Sequence, residues 1–157
     1  MAVAPRLRQY IAERDIAWDA LEHPASSCGL DAAHRAGVPP GELAKAVLLE
    51  DDYGYLIAVV PTDRRLQLAQ IRAGLERDLR LASEAEVARL FPDCEPGAVP
   101  PLGEAYGIAT VWDAALARKP DVYFEGGDHR TLVHVTGDEF ASLMTAADRI
   151  PEDETVA

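Results

Sequence analysis

Leu7, Tyr10 and Ile11 recur at three- and four-residue spacing, which predicts an opening helix over about residues 3–14. Trp18 to Glu22 alternates apolar and polar and predicts a strand ending at His23-Pro24, because Pro24 has no amide proton to continue a ladder. Ser26 and Ser27 are candidate N-caps for a short helix through Ala33, closed by Gly37. Lys45 to Glu50 and Tyr55 to Val60 are strand-like runs joined by the turn-forming Asp51-Asp52-Tyr53-Gly54, the clearest hairpin in the chain. Gln67 to Leu75 reads as a helix and Leu79 to Ala82 as a short strand. Ser83 to Glu86 has the form of a capping box ahead of Val87, Leu90 and Phe91. After the Pro/Gly-rich stretch Pro92 to Gly103, Ile108 to Trp112 and Val122 to Glu125 read as strands. Gly126-Gly127-Asp128 turns the last of these into Thr131 to Thr136, and Asp138 to Ala147 is a closing amphipathic helix. Hairpins mixed with helices predict an α/β fold of α+β character. Its centre is a mixed sheet with helices packed on it, not a doubly wound parallel one.

The chain has 157 residues, 48% of them apolar and 27% charged, enough for one globular core. One domain is expected over residues 1–150, with 151–157 an acidic, frayed tail. The longest apolar run, Leu56 to Val60, ends at Pro61 and is far short of the ~20 residues a membrane helix needs. With no signal-like apolar stretch after Arg6 and Arg8, the expected location is the cytoplasm. The two cysteines cannot build a disulfide framework or a four-ligand zinc site. A net charge of −12 argues against a broad nucleic-acid face and against DNA as a partner, though not against a small pocket for one phosphate.

Three places could carry chemistry. Lys45 lies among Leu43, Ala44, Ala46 and Val47, so it either reaches solvent from a strand end or serves as the cation of a pocket. Gly97-Ala98-Val99-Pro100-Pro101 is a stiffened loop whose Ala98 and Val99 amides could be held toward an oxygen, or it is only a rigid connector. Gly126-Gly127-Asp128-His129 is either a ligand-contacting turn or a plain hairpin tip. No His spacing suits a metal, so none is expected, and no other cofactor is called for. Cys28 with His23 is a minor candidate for nucleophilic catalysis, since lone cysteines are mostly small buried residues.

Together these residues resemble the YbaK-type aminoacyl-tRNA editing family, which includes the editing insertion domain of bacterial prolyl-tRNA synthetase. The similarity rests on His23-Pro24, Ala44-Lys45-Ala46-Val47, Leu90 to Gly103 and Val122 to Leu132, in that order and spacing. The resemblance implies a compact α/β fold around a strongly curved mixed sheet. It also implies hydrolysis of the ester joining a wrong amino acid to the 3′ end of a tRNA. Lys45 would be the functional cation, and Gly97, Ala98, Val99, Pro100 and Pro101 would hold the aminoacyl end. Gly126, Gly127 and His129, with His23 and Cys28, would complete the pocket. Many relatives carry an aromatic residue and Thr or Ser where this chain has Ser27 and Cys28, so side-chain preference is not carried over. The implied partners are the acceptor end of a mischarged tRNA and a synthetase or elongation factor. The alternative is a binding or regulatory module that keeps the pocket without the reaction.

Overall fold

The computed structural model describes residues 3–151, so all of the expected acidic tail except Pro151 lies outside the described residues. The helices are α1 (Pro5–Glu13), α2 (Gly29–Ala36), α3 (Leu68–Leu75), α4 (Glu84–Leu90) and α5 (Gly137–Leu143). The strands are β1 (Asp19–Glu22), β2 (Leu43–Asp51), β3 (Gly54–Pro61), β4 (Arg80–Leu81), β5 (Ala109–Trp112), β6 (Asp121–Glu125), β7 (Thr131–Thr136) and β8 (Asp148–Arg149). They form one mixed sheet in the order β1-β7-β6-β2-β3-β5-β8, with β4 pairing β2 beside that path. The hairpins β2–β3 and β6–β7 are antiparallel, whereas β2–β6, β3–β5 and β5–β8 are parallel.

Local chemistry accounts for most of these elements. Asp51 Oδ1 accepts the Tyr53 and Gly54 amides at 2.9 and 3.1 Å and closes the β2–β3 turn. Both bonds of the Ser83/Glu86 capping box are present, and Thr136 with Glu139 makes a second one at α5. Glu86 also accepts the Tyr55 hydroxyl at 2.6 Å, which ties α4 to β3.

Two expectations are corrected. The N-cap of α2 is Cys28, because Ser26 is spent on the His129 carbonyl and Ser27 bonds Asp31. The closing helix stops at Leu143, and residues 148–149 instead add strand β8 beside β5. The apolar pattern of this segment did not show that exchange, because a two-residue edge strand is defined by its neighbour.

The two faces of β2 differ. Ala44 and Leu48 face the main core with Ile57, Val59, Phe124 and Phe140. On the other face Leu43 joins a cluster under α2, and Leu49 joins a separate one with Ile71 of α3. Lys45 falls in the seam between these clusters, which is how an apolar strand carries a lysine without sealing its charge in the core.

Candidate active site

β2 loses its neighbour on one side. β6 pairs only with Leu43 and Ala44, and β4 only with Leu49 and Glu50. Alternate residues of a strand turn their backbone groups to opposite sides. Leu43 gives its carbonyl to Thr62 on the β3 side and Leu48 gives its own to Ala82 on the other, so Ala46 faces the gap and has no strand partner there. A sheet interrupted in this way leaves an open cleft in its middle.

A cavity of about 180 Å³ occupies the gap. Its wall includes Lys45 and Ala46 from β2, Ser26, Cys28 and Gly29 at the start of α2, Gly97 and Val99, and Glu125 and His129. A groove of about 520 Å³ continues from it past Leu81, Ala82 and Val87, and the two share Ser26, Ala46, Gly97, Val99 and His129. Lys45 takes part in none of the ion pairs among the described residues.

The loop opposite Lys45 is shaped by φ = +80° at Gly97, a region that side chains with a β-carbon resist. Neither the Gly97 nor the Val99 amide donates to a backbone acceptor among the described residues. Ala98 is different from the expectation: its amide is spent on the Glu95 carbonyl at 3.0 Å and its side chain is buried. Pro100 and Pro101 are also buried and do not line the cavity; they anchor the loop to the core. The available amides are therefore those of Gly97 and Val99, not Ala98 and Val99.

The 126–129 turn is built around a carboxylate. Glu125 Oε1 accepts the amides of Gly127, Asp128 and His129 at 2.9, 3.2 and 3.1 Å. Gly127 holds φ = +121°, and an added Cβ would stand 3.2 Å from Cys94 Sγ, so glycine is required there. Gly126 and Gly127 shape the turn from outside the cavity wall. His129 joins the two loops, its Nε2 lying 2.6 Å from the Pro96 carbonyl. A carbonyl only accepts, so Nε2 carries the proton and Nδ1 is left as an acceptor when the ring is neutral.

His23 is buried and also lies off the cavity wall. Its backbone N–H donates to the Arg130 carbonyl, and its Nδ1 lies 2.7 Å from the Pro24 carbonyl, while Nε2 is buried without a partner. With the bonds from Ser26 to the His129 carbonyl, this fixes the entry to α2 against the turn. No hydrogen bond joins His23 to Cys28, so the geometry builds no cysteine–histidine pair. At Cys94 burial pushes the thiol up to about 12, which leaves it inert.

Lys45, Cys28, Gly97, Val99 and His129 are thus brought together, and His23, Ala98, Pro100, Pro101, Gly126 and Gly127 support them from behind. Glu125, Ser26 and the Ala46 backbone were missed by sequence reasoning. A Glu placed before Gly-Gly-Asp was a usable signal for a carboxylate-centred turn; the break beside Ala46 had none, since strand pairing is long-range.

The profile of the aminoacyl-tRNA editing domain family matches residues 22–143. A solved structure of a proposed trans-editing enzyme for prolyl-tRNA synthetase superimposes with a TM-score of 0.80 at 26% identity, over 96% of this chain and 97% of its own. The hypothetical protein APE2540 gives 0.79 at 26% identity, over 92% and 97%. A protein from Marinobacter aquaeolei named for signal transduction shares the fold at 0.72 and 24% identity, this chain spanning 29% of its length. No curated protein matches significantly. A match over most of the chain, on a fold whose cleft opens at Lys45, means that this chain belongs to the aminoacyl-tRNA editing domain family.

Proposed function

We propose that the chain is a trans-editing deacylase that hydrolyses the ester between a wrong amino acid and the terminal adenosine of a tRNA. The observation that carries this reading is a lysine in no ion pair among the described residues, on the wall of a small cavity that also holds the loop of two undonated amides. An aminoacyl ester is already activated, so a placed water and a stabilised oxyanion suffice, with no protein nucleophile. Water attacks the ester carbonyl, and the Gly97 and Val99 amides receive the oxyanion. Lys45 offsets the negative charge of the transition state or of the adjoining phosphate. Collapse breaks the C–O bond, and the proton lost by water goes to the departing ribose 3′-oxygen, the neighbouring 2′-hydroxyl orienting the water. The products are a free amino acid and uncharged tRNA.

The volumes support this division of labour. About 180 Å³ is below the usual size of a ligand pocket and suits a small aminoacyl group. The larger groove, with Leu81 63% exposed at its side, suits the apolar face of the adenosine. Glu125 is the one carboxylate on the cavity wall among the described residues and is the partner we assign to the substrate's α-ammonium. The substrate places the protein's work in the cytoplasm, with a synthetase or elongation factor as the source of mischarged tRNA.

The test is a panel of mischarged tRNAs incubated with the protein and with Lys45→Ala. Release of amino acid from at least one tRNA, lost in the variant, is the expected result. Tight binding of the same tRNAs without release by the parent would favour the non-catalytic module.

A further inference from the structure

A second and larger cavity, about 550 Å³, has no residue in common with the cleft at Lys45. It lies past the carboxyl ends of three strands that run parallel in the sheet, β3, β5 and β8, the position where open sheets with parallel strands commonly bind ligands. The turn after β3 contributes Arg64 and Arg65, and the turn after β5 contributes Arg118. In a chain of net charge −12, three arginines line this cavity with one carboxylate among the described residues, Asp113. That carboxylate is already occupied: Oδ2 takes Arg64 at 3.2 Å and Oδ1 takes the Ala115 amide at 2.9 Å. Arg65 and Arg118 are exposed and join none of the ion pairs among the described residues.

The cavity is coupled by position to the cleft. Val60, on its wall, is the cross-strand partner of Lys45, so both side chains stand on the same face of the sheet, about 5 Å apart at Cβ. Gly29, on the wall of the cleft, packs against Thr62, two residues before Arg64; a Cβ there would lie 3.2 Å from Thr62 Cγ2. Thr62 is held by Leu43, whose carbonyl accepts both its amide and its hydroxyl, at 2.9 and 2.7 Å.

We propose that the Arg64–Arg65–Arg118 cavity takes backbone phosphates of the tRNA strand whose 3′ end enters the Lys45 cleft. The proposal rests on the deacylase reading. Exposed arginines gain little from one small, well-hydrated anion, because water and salt screen the attraction. They gain more from a polyanion, whose condensed counterions are released on binding. Because Val60 on the wall of this cavity stands opposite Lys45, a strand whose end lies in the cleft can bring a preceding phosphate to these arginines. This reconciles an acidic protein with an RNA substrate: a few phosphates are gripped beside the end, and no extended basic surface is needed.

The experiment compares the parent with Arg65→Ala/Arg118→Ala and with Arg65→Lys/Arg118→Lys. Arg64 is left in place because it holds Asp113. Binding of uncharged tRNA is followed by fluorescence anisotropy across a salt series, and deacylation is measured on mischarged tRNA and on a 3′-aminoacyl-adenosine that lacks upstream phosphates. The full chain is used, so the carboxylates of Glu152, Asp153 and Glu154, which follow Pro151 in the sequence, are present throughout. The alanine pair should weaken tRNA binding about tenfold or more and reduce the log–log salt slope by about 1–2. It should lower kcat/KM on tRNA to match and leave the aminoacyl-adenosine rate unchanged, while the lysine pair keeps most of the slope. Parent-like affinity and slope in the alanine pair would overturn the proposal. So would arginine-dependent binding of AMP at a salt concentration where tRNA does not bind, which would make the cavity a small-anion site. Failure of the parent to hydrolyse either ester would sink the deacylase reading, and the tRNA-binding arm would still report on the cavity.

Discussion

Lys45 is where a change of charge separates chemistry from stability. Its side chain sits in the seam between the clusters beneath α2 and α3 and has no ion-pair partner among the described residues. Removing the charge therefore orphans no buried carboxylate, the event that makes broken internal pairs costly. Lys45→Met keeps an unbranched stem in the seam and should change stability by no more than about 0.5 kcal/mol. Lys45→Ala gives up that stem's packing and should cost about 1 kcal/mol. Catalysis should respond on another scale. A charged contact to a developing oxyanion in a partly dehydrated cleft contributes about 2–4 kcal/mol to the barrier, so both variants should lose about thirty- to a thousand-fold in rate. Lys45→Arg should fall between, because a planar fork replaces a compact ammonium. The assay is single-turnover release of amino acid from the best mischarged tRNA, paired with urea midpoints for each variant. If Lys45→Met stays folded and reacts within about threefold of the parent, Lys45 is not the catalytic cation. If loss of rate follows loss of stability instead, its role is structural.

Gly97→Val should fold yet deacylate at least about tenfold more slowly, because φ = +80° is hostile to a β-branched residue; equal rates in the same assay would reduce the loop to a connector. Ala98→Ser should lower the melting temperature more than it lowers the rate, since it buries a hydroxyl in a fully enclosed position, and calorimetry with kinetics separates the two. The paired Arg77 guanidinium, at 2.7 Å, holds the Asp51 carboxyl down at about 2, so the stability it contributes is complete above its unfolded value near 4 and is lost as pH falls through about 2. Arg77→Ala should flatten that part of the urea-midpoint profile; an unchanged acid limb would refute it. His134 lies 2.7 Å from both Asp19 and Asp121, and although burial opposes its charge, these bonds outweigh it and raise its pKa above 6.5. The stabilisation is thus full below the unfolded value near 6.5 and is lost as pH rises through the folded one, so the stability gap between parent and His134→Ala should narrow as pH rises above about 6.5.

Elements defined by near neighbours could be read from the chain alone. The β2–β3 hairpin follows from two apolar runs around Asp51 to Gly54, and α4 from its own capping box, because both are decided within a few residues. The mixed character of the sheet followed from hairpins interspersed with helices. The candidate site was readable as three separate segments, around Lys45, Gly97 and His129, since lysine in an apolar strand and glycine beside proline each mark a local conflict that must be resolved somewhere. How the segments meet was decided only by tertiary structure. The gap beside Ala46 exists because β6 and β4 each cover one end of β2 and leave its middle, a matter of pairing between residues far apart in sequence. The same packing buries the two prolines, whereas the bond from the Ala98 amide to Glu95 and the three-amide turn around Glu125 are local and close within four residues. Composition could state that the chain is acidic. Only the parallel alignment of β3 with β5 could bring Arg64, Arg65 and Arg118 to one cavity, because charge in a sequence has no direction until strands set it in space.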